Sequence, residues 1–229
     1  MTQVHESHKR SVLDDVRSAL GRRTTLVPTP LEAFVEPAAV SDGIEMLERF
    51  VQEATAVRAQ VHRVSDESQL VEKIFELCAD HPGDIALSGT ALFGKTDLRA
   101  ALNGRGLAMF AGNKAGHEQK VASLASCAVG ITAADYAIAE TGTIVLSSDE
   151  PDALLVSLLP PLHIALVRTS QMIATMDGAL STIGRERMGP NSTARSVTLI
   201  TGPSRTSDVE LVLSIGVHGP KELHVIIVD

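Results

Sequence analysis

A chain of 229 residues with 44% apolar and 21% charged residues is long enough to bury a sizeable core and too apolar to remain disordered. Its net charge of −8, the absence of Trp and the single Tyr argue against a nucleic-acid surface, which draws on clustered Lys and Arg and on aromatic stacking platforms. With aromatics at 3%, the core has to be assembled from Ala, Val, Leu and Ile.

The first ten residues, MTQVHESHKR, have no apolar signal-peptide core. Residues 7–20 carry Val12, Leu13, Val16 and Leu20 at helical spacing, with Gly21 as a stop. Residues 22–37 contain three prolines and read as an extended linker. Residues 1–40 are therefore expected to form an arm and residues 41–229 the body. His5 and His8 could chelate from one helix face, but they lie on a terminus and are assigned to surface; no metal site is expected.

The body opens with a helix capped by Asp42 with Glu45 three residues on, and an apolar stripe of Ile44, Leu47, Phe50 and Val51. A strand at 60–64, a helix at 66–79 with Leu70, Ile74 and Leu77 in phase, and a short buried strand at 85–87 follow. Strands at 107–110 and 128–132 flank a helix near 117–125. This alternation predicts βαβ units and a mainly parallel sheet. Residues 136–139 and 144–146 lie too close for a crossover helix, so they are expected to pair antiparallel around Gly142. A helix at 152–159, a strand at 163–168, a helix at 170–182 and strands at 197–201 and 224–228 complete the fold, an α/β architecture with an inserted antiparallel hairpin. The apolar stretch 153–167 is too short to span a membrane and is interrupted by Pro160, Pro161 and His163, so a soluble cytoplasmic protein is expected.

In parallel α/β sheets ligands collect on loops past the carboxyl ends of the strands. Four loops qualify by composition. Ser88 and Gly89 open a small-residue turn, 88–94, whose backbone could approach an anion, although it matches neither Walker A nor GxGxxG. Glu140, Thr141, Gly142 and Thr143 place a carboxylate between two apolar strands, either as a solvated turn residue or as a held nucleophile or base. Ser204, Arg205 and Thr206 precede a capping box, Ser207 and Glu210, for a helix expected over 208–215, a setting that favours an anion. His218 sits in a Gly- and Pro-containing turn, and His163 follows a Pro pair; each is either an acid–base group or structural. The two cysteines, Cys78 and Cys127, stand in apolar contexts and read as buried thiols; without a CxxC this chain cannot hold a four-cysteine cluster.

Taken together, AETGTIVL, SLLPPLHIALV and GPSRTSDVELVLSIGVHGPKELHVIIV resemble the LUD domain family, in its lactate utilization protein C group. The likeness is strong from about Ala134 to Asp229, looser over 41–133, and includes the ALG that ends the N-terminal helix. It implies a fold similar to the ribose-phosphate isomerase, glucosamine-phosphate deaminase and CoA-transferase superfamily. It further implies a role in growth on L-lactate beside two iron–sulfur partner proteins that oxidise lactate to pyruvate. This chain would be the cluster-free member, with no cofactor of its own and with a small anion as an additional ligand. The alternative is an independent enzyme of isomerase or acyl-transfer type using Glu140. CoA transferases of related fold carry a nucleophilic Glu in a Ser-Glu-Asn-Gly turn; here Ala139, Glu140, Thr141 and Gly142 retain only the Glu and the Gly.

Overall fold

A computed structural model describes residues 14, 15, 18, 43–88, 92–93, 96–104, 117–148, 151–187, 194, 196–207, 213–215 and 218–229. The chain divides into two compact units, Met1–Val35 and Glu36–Asp229. In the first, Asp14, Asp15 and Ser18 are helical, within the expected 7–20 helix. The rest of that helix, its Gly21 stop, the proline linker, the Asp42 cap and the 107–110 strand lie outside the described residues.

The second unit is built on five parallel strands. In chain order they are β1 (Gln60–Val64), β2 (Ile85–Leu87), β5 (Val129–Ala133), β8 (Leu162–Arg168) and β13 (Glu222–Val228), and in space they run β1-β13-β8-β5-β2, while β3 (Leu92–Phe93) and β4 (Thr96–Asp97) pair antiparallel with each other. The two central strands, LHIALVR and ELHVIIV, are almost continuously apolar and buried on both faces, as a parallel strand sandwiched between layers must be.

One face packs on α2 (Glu67–Ala79) and α3 (Leu98–Gly104) through Leu70, Ile74, Leu98, Leu102, Ile131, Ile164 and Ile226. Asp66 starts α2, accepting from the backbone N–H of Ser68 at 2.8 Å and of Gln69 at 2.9 Å, which satisfies two otherwise orphaned donors. The opposite face meets α1 (Gly43–Ala56) and a second sheet across a core rich in alanine: Ala54, Ala134, Ala137, Ala139 and Ala165. Small side chains let backbone layers approach closely, which is how a chain poor in aromatics fills this space. Toward the β2 edge, α4 (His117–Ala125) and α5 (Pro151–Leu158) cover Ala86 with Leu124, Cys127 and Val156.

The second sheet has the order β10-β7-β6-β9, from β6 (Tyr136–Ile138), β7 (Thr143–Ser148), β9 (Met172–Ile173) and β10 (Ser196–Ile200). The 136–146 hairpin forms as expected, pairing Ile138 with Thr143. Its outer face is covered by α6 (Met176–Glu186) through Ala179 and Ile183.

Three expectations need correction. The α1 stripe is Leu47, Phe50 and Ala54, with Ile44 69% and Val51 37% exposed. The helix turns its alanine inward because the hairpin turn approaches its backbone there. The 170–182 helix is instead a 3₁₀ turn at Thr169–Gln171, strand β9, and then α6, which starts where the Thr175 hydroxyl accepts from Gly178 N–H at 3.1 Å. Pairing of Met172 and Ile173 with Ala137 and Ile138 overrides the local helical preference. The 208–215 helix does not stand: β11 (Arg205–Ser207) pairs antiparallel with β12 (Leu213–Ile215), and residues 208–212 lie outside the described residues.

Both cysteines are free and buried, and burial lifts the Cys78 thiol to about 11. His163 is buried inside β8, with Nε2 2.8 Å from the Thr132 hydroxyl, and desolvation lowers its pKa to about 3. His224 in β13 meets His62 in β1 at 3.1 Å, and burial, then the neighbouring His62, lowers it to about 4. Both rings are held neutral while an unfolded chain would protonate them near pH 6.5. Below that value the unfolded state binds more protons, so these two rings withdraw stability on acidification toward pH 4 and add no pH dependence above about pH 7. Each such ring costs at most about 1.4 kcal/mol per pH unit in that window. Urea melts from pH 8 to 4 are expected to show this slope, and His163→Gln to remove the part due to that ring while His224 keeps the rest.

Candidate functional site

Glu140 follows β6 at the tip of the hairpin. Its side chain is exposed, and its Oε2 accepts the backbone N–H of Met176, the first residue of α6, at 2.7 Å. Its own N–H donates to Ala174 O at 3.0 Å. The carboxylate therefore sits at the positive end of α6 and satisfies one of its unpaired donors. This is a physical reason for an acid between two apolar strands, independent of any chemistry.

Gly142 has φ 60°, and a Cβ there would lie 2.5 Å from Ala54 Cα and 2.6 Å from Glu53 C. The turn is thus pressed backbone to backbone against the end of α1, which only glycine permits. Beside it a chain of hydroxyls runs from Thr141 to the buried Thr143 and on to Thr201, each link 2.7 Å.

Thr201 ends β10. Gly202, with φ 75°, presses on Val57, and a Cβ would stand 3.2 Å from the Val57 side chain. The Arg205 guanidinium donates from Nη2 to the Val57 carbonyl. Ser204 donates its N–H to Pro220 O at 3.0 Å, and Lys221 N–H reaches Pro161 O at 2.8 Å. Val57, Pro161 and Pro220 lead into β1, β8 and β13, so these groups line the amino ends of the parallel strands.

The candidate residues separate accordingly. Glu140, Thr141, Gly142, Thr143, Ser204 and Arg205 share the amino edge, and the exposed His218 lies in the turn before β13 on that side. Ser88 follows β2 at the carboxyl edge, buried, with its N–H on Ile131 O at 3.0 Å. His163 is inside the sheet on Thr132. Thr206 is in the β11–β12 ladder opposite Ser214. Gly89 lies outside the described residues.

The carboxyl edge is occupied by ion pairs that composition alone did not signal. Arg168 Nη2 meets Glu67 Oε1 at 3.0 Å and its guanidinium lies 4.7 Å over the Phe93 ring. Arg63 pairs with Asp229. Asp135, where the chain leaves β5, takes Arg187 Nη2 at 2.5 Å and Ser147 Oγ at 2.7 Å. Among the described residues no group of three or more His, Cys, Asp or Glu is arranged to hold a metal ion.

These contacts fix two expected outcomes. Gly142→Ala, adding a Cβ against backbone at a left-handed φ, should cost about 3 kcal/mol. Glu140→Ala, removing one helix-end acceptor, should cost about 1 kcal/mol. Urea unfolding at pH 7 would measure both.

A LUD domain family model matches residues 47–228. Lactate utilization protein C 1 of Bacillus mycoides is 29% identical over 228 residues, covering 97% of each chain. Lactate utilization protein C of Bacillus subtilis is 38% identical over 113 residues, covering 49% of this chain and 47% of its own. In fold, the chain is similar to a crystal structure of a DUF162 family protein from Deinococcus radiodurans, with TM-score 0.59 and 21% identity over 82% of this chain and 99% of that one.

Proposed function

The chain belongs to the LUD domain family, and from that premise we propose that it is a cytoplasmic, cluster-free member of an L-lactate utilisation system whose redox chemistry resides in iron–sulfur partner proteins. The observation that carries this reading is the end-to-end likeness to a protein named lactate utilization protein C, spanning 97% of both chains. The two cysteines support the cluster-free part: both are buried, and two are too few for a four-cysteine cluster.

In this role the amino edge is a binding surface rather than a centre of covalent chemistry. Glu140 is engaged as a helix-end acceptor, a task that consumes one carboxylate oxygen. The second reading, an independent isomerase- or transferase-like enzyme with Glu140 as base or nucleophile, draws on the exposure of that side chain beside three threonine hydroxyls.

Deleting this chain while leaving the partner proteins intact is expected to abolish growth with L-lactate as carbon source, and normal growth of the deletion strain would sink the first reading. Complementation with Glu140→Gln separates the two. An amide still accepts the Met176 N–H, so growth should be restored. Failure to restore growth, by a variant that melts within about 1 kcal/mol of wild type, would favour the enzyme.

A further inference from the structure

Arg58 is the one non-glycine residue with a positive φ among the described residues, at 71°. It closes α1 in a Schellman arrangement: Arg58 N–H bonds Thr55 O at 2.9 Å and Ala59 N–H bonds Ala54 O at 2.9 Å. Glycine usually takes this place, because any longer side chain pays for its Cβ in the left-handed region. A bulky residue kept at such an outlier points toward use of its side chain.

Its position offers that use. The preceding residue, Val57, gives its carbonyl to Arg205 and is pressed by Gly202. The Arg205 guanidinium is thus held on the peptide that leads into Arg58, and both arginines are exposed on the amino edge, next to Thr201 and the hairpin turn. In a chain with 28 acidic against 20 basic residues, Arg58 nevertheless pairs with no carboxylate among the described residues.

We propose that Arg58 is an anion-binding residue which, with Arg205, forms a two-arginine rim that takes the carboxylate of a small hydroxy or keto acid. The planar guanidinium accepts a carboxylate through two parallel hydrogen bonds, a geometry lysine cannot reproduce. The choice of a small carboxylate rests on the lactate-utilisation reading; the rim itself rests on the backbone and on the Arg205 contact. The competing account is purely structural: a cation at the negative end of α1, whose last turn holds no basic residue.

The test is calorimetric titration of the purified full chain with L-lactate, pyruvate and, as a different oxyanion, inorganic phosphate, on wild type, Arg58→Gly and Arg58→Lys. The rim predicts that Arg58→Gly melts about 2–4 °C higher while carboxylate affinity falls at least about tenfold. Arg58→Lys should keep the wild-type melting temperature yet bind carboxylate more weakly. Unchanged carboxylate affinity in Arg58→Gly, no carboxylate binding by wild type, or binding of phosphate alone would each overturn the proposal. Because the titration uses the isolated protein, it stands or fails separately from growth of the deletion strain on lactate.

Discussion

The organisation of the amino edge depends on one close approach, the hairpin turn at Gly142 lying on the backbone of Ala54 and Glu53. Without a side chain at Gly142 the turn reaches the helix axis; with one it could not. From that contact follow the position of Glu140 at the start of α6, the hydroxyl chain from Thr141 to Thr201, and the seating of Gly202 on Val57. The inward turn of α1 onto Leu47, Phe50 and Ala54 is the helix's side of the same fit.

This arrangement revises where a ligand would be sought. Parallel α/β sheets usually offer loops at their carboxyl ends, and here the described part of that rim carries the ion pairs of Arg168 with Glu67 and of Arg63 with Asp229. Among the described residues the open polar groups of the candidate site collect instead at the amino ends. They are held there by a mixed sheet that carries the chain back down the molecule, so that both its hairpin turn and the end of β10 arrive beside α1 and Val57.

Much of the fold was legible because its signals are local. The apolar runs of β8 and β13, the helical phase of Leu70 and Ile74 and the proximity of the hairpin strands each announce themselves within a few residues. What was not legible depends on distant partners. Nothing near Met172 says that Ala137 will pair with it, so residues 170–182 read as one helix when Thr175 in fact starts it. The Ser207 and Glu210 spacing mimics a capping box, yet Arg205–Ser207 is a strand satisfied by Leu213–Ile215. Of the site, Glu140 and Arg205 could be picked by residue type. Thr201, the Val57 carbonyl and Arg58 could not, since their roles come from contacts and from a backbone angle.

The chain crosses from the parallel sheet to the mixed one twice, from β5 into β6 through Ala134 and Asp135, and from β8 into β9 through the Thr169–Gln171 turn. Gln171 Nε2 ties the two crossings together by donating to both Ala134 O and Asp135 O, at 2.9 and 3.1 Å. Layers stitched at two adjacent points cannot swing open as jaws do. A hinge between the two sheets would first have to break both of these hydrogen bonds, which ties the layers to one another as a single body rather than as two halves free to rotate.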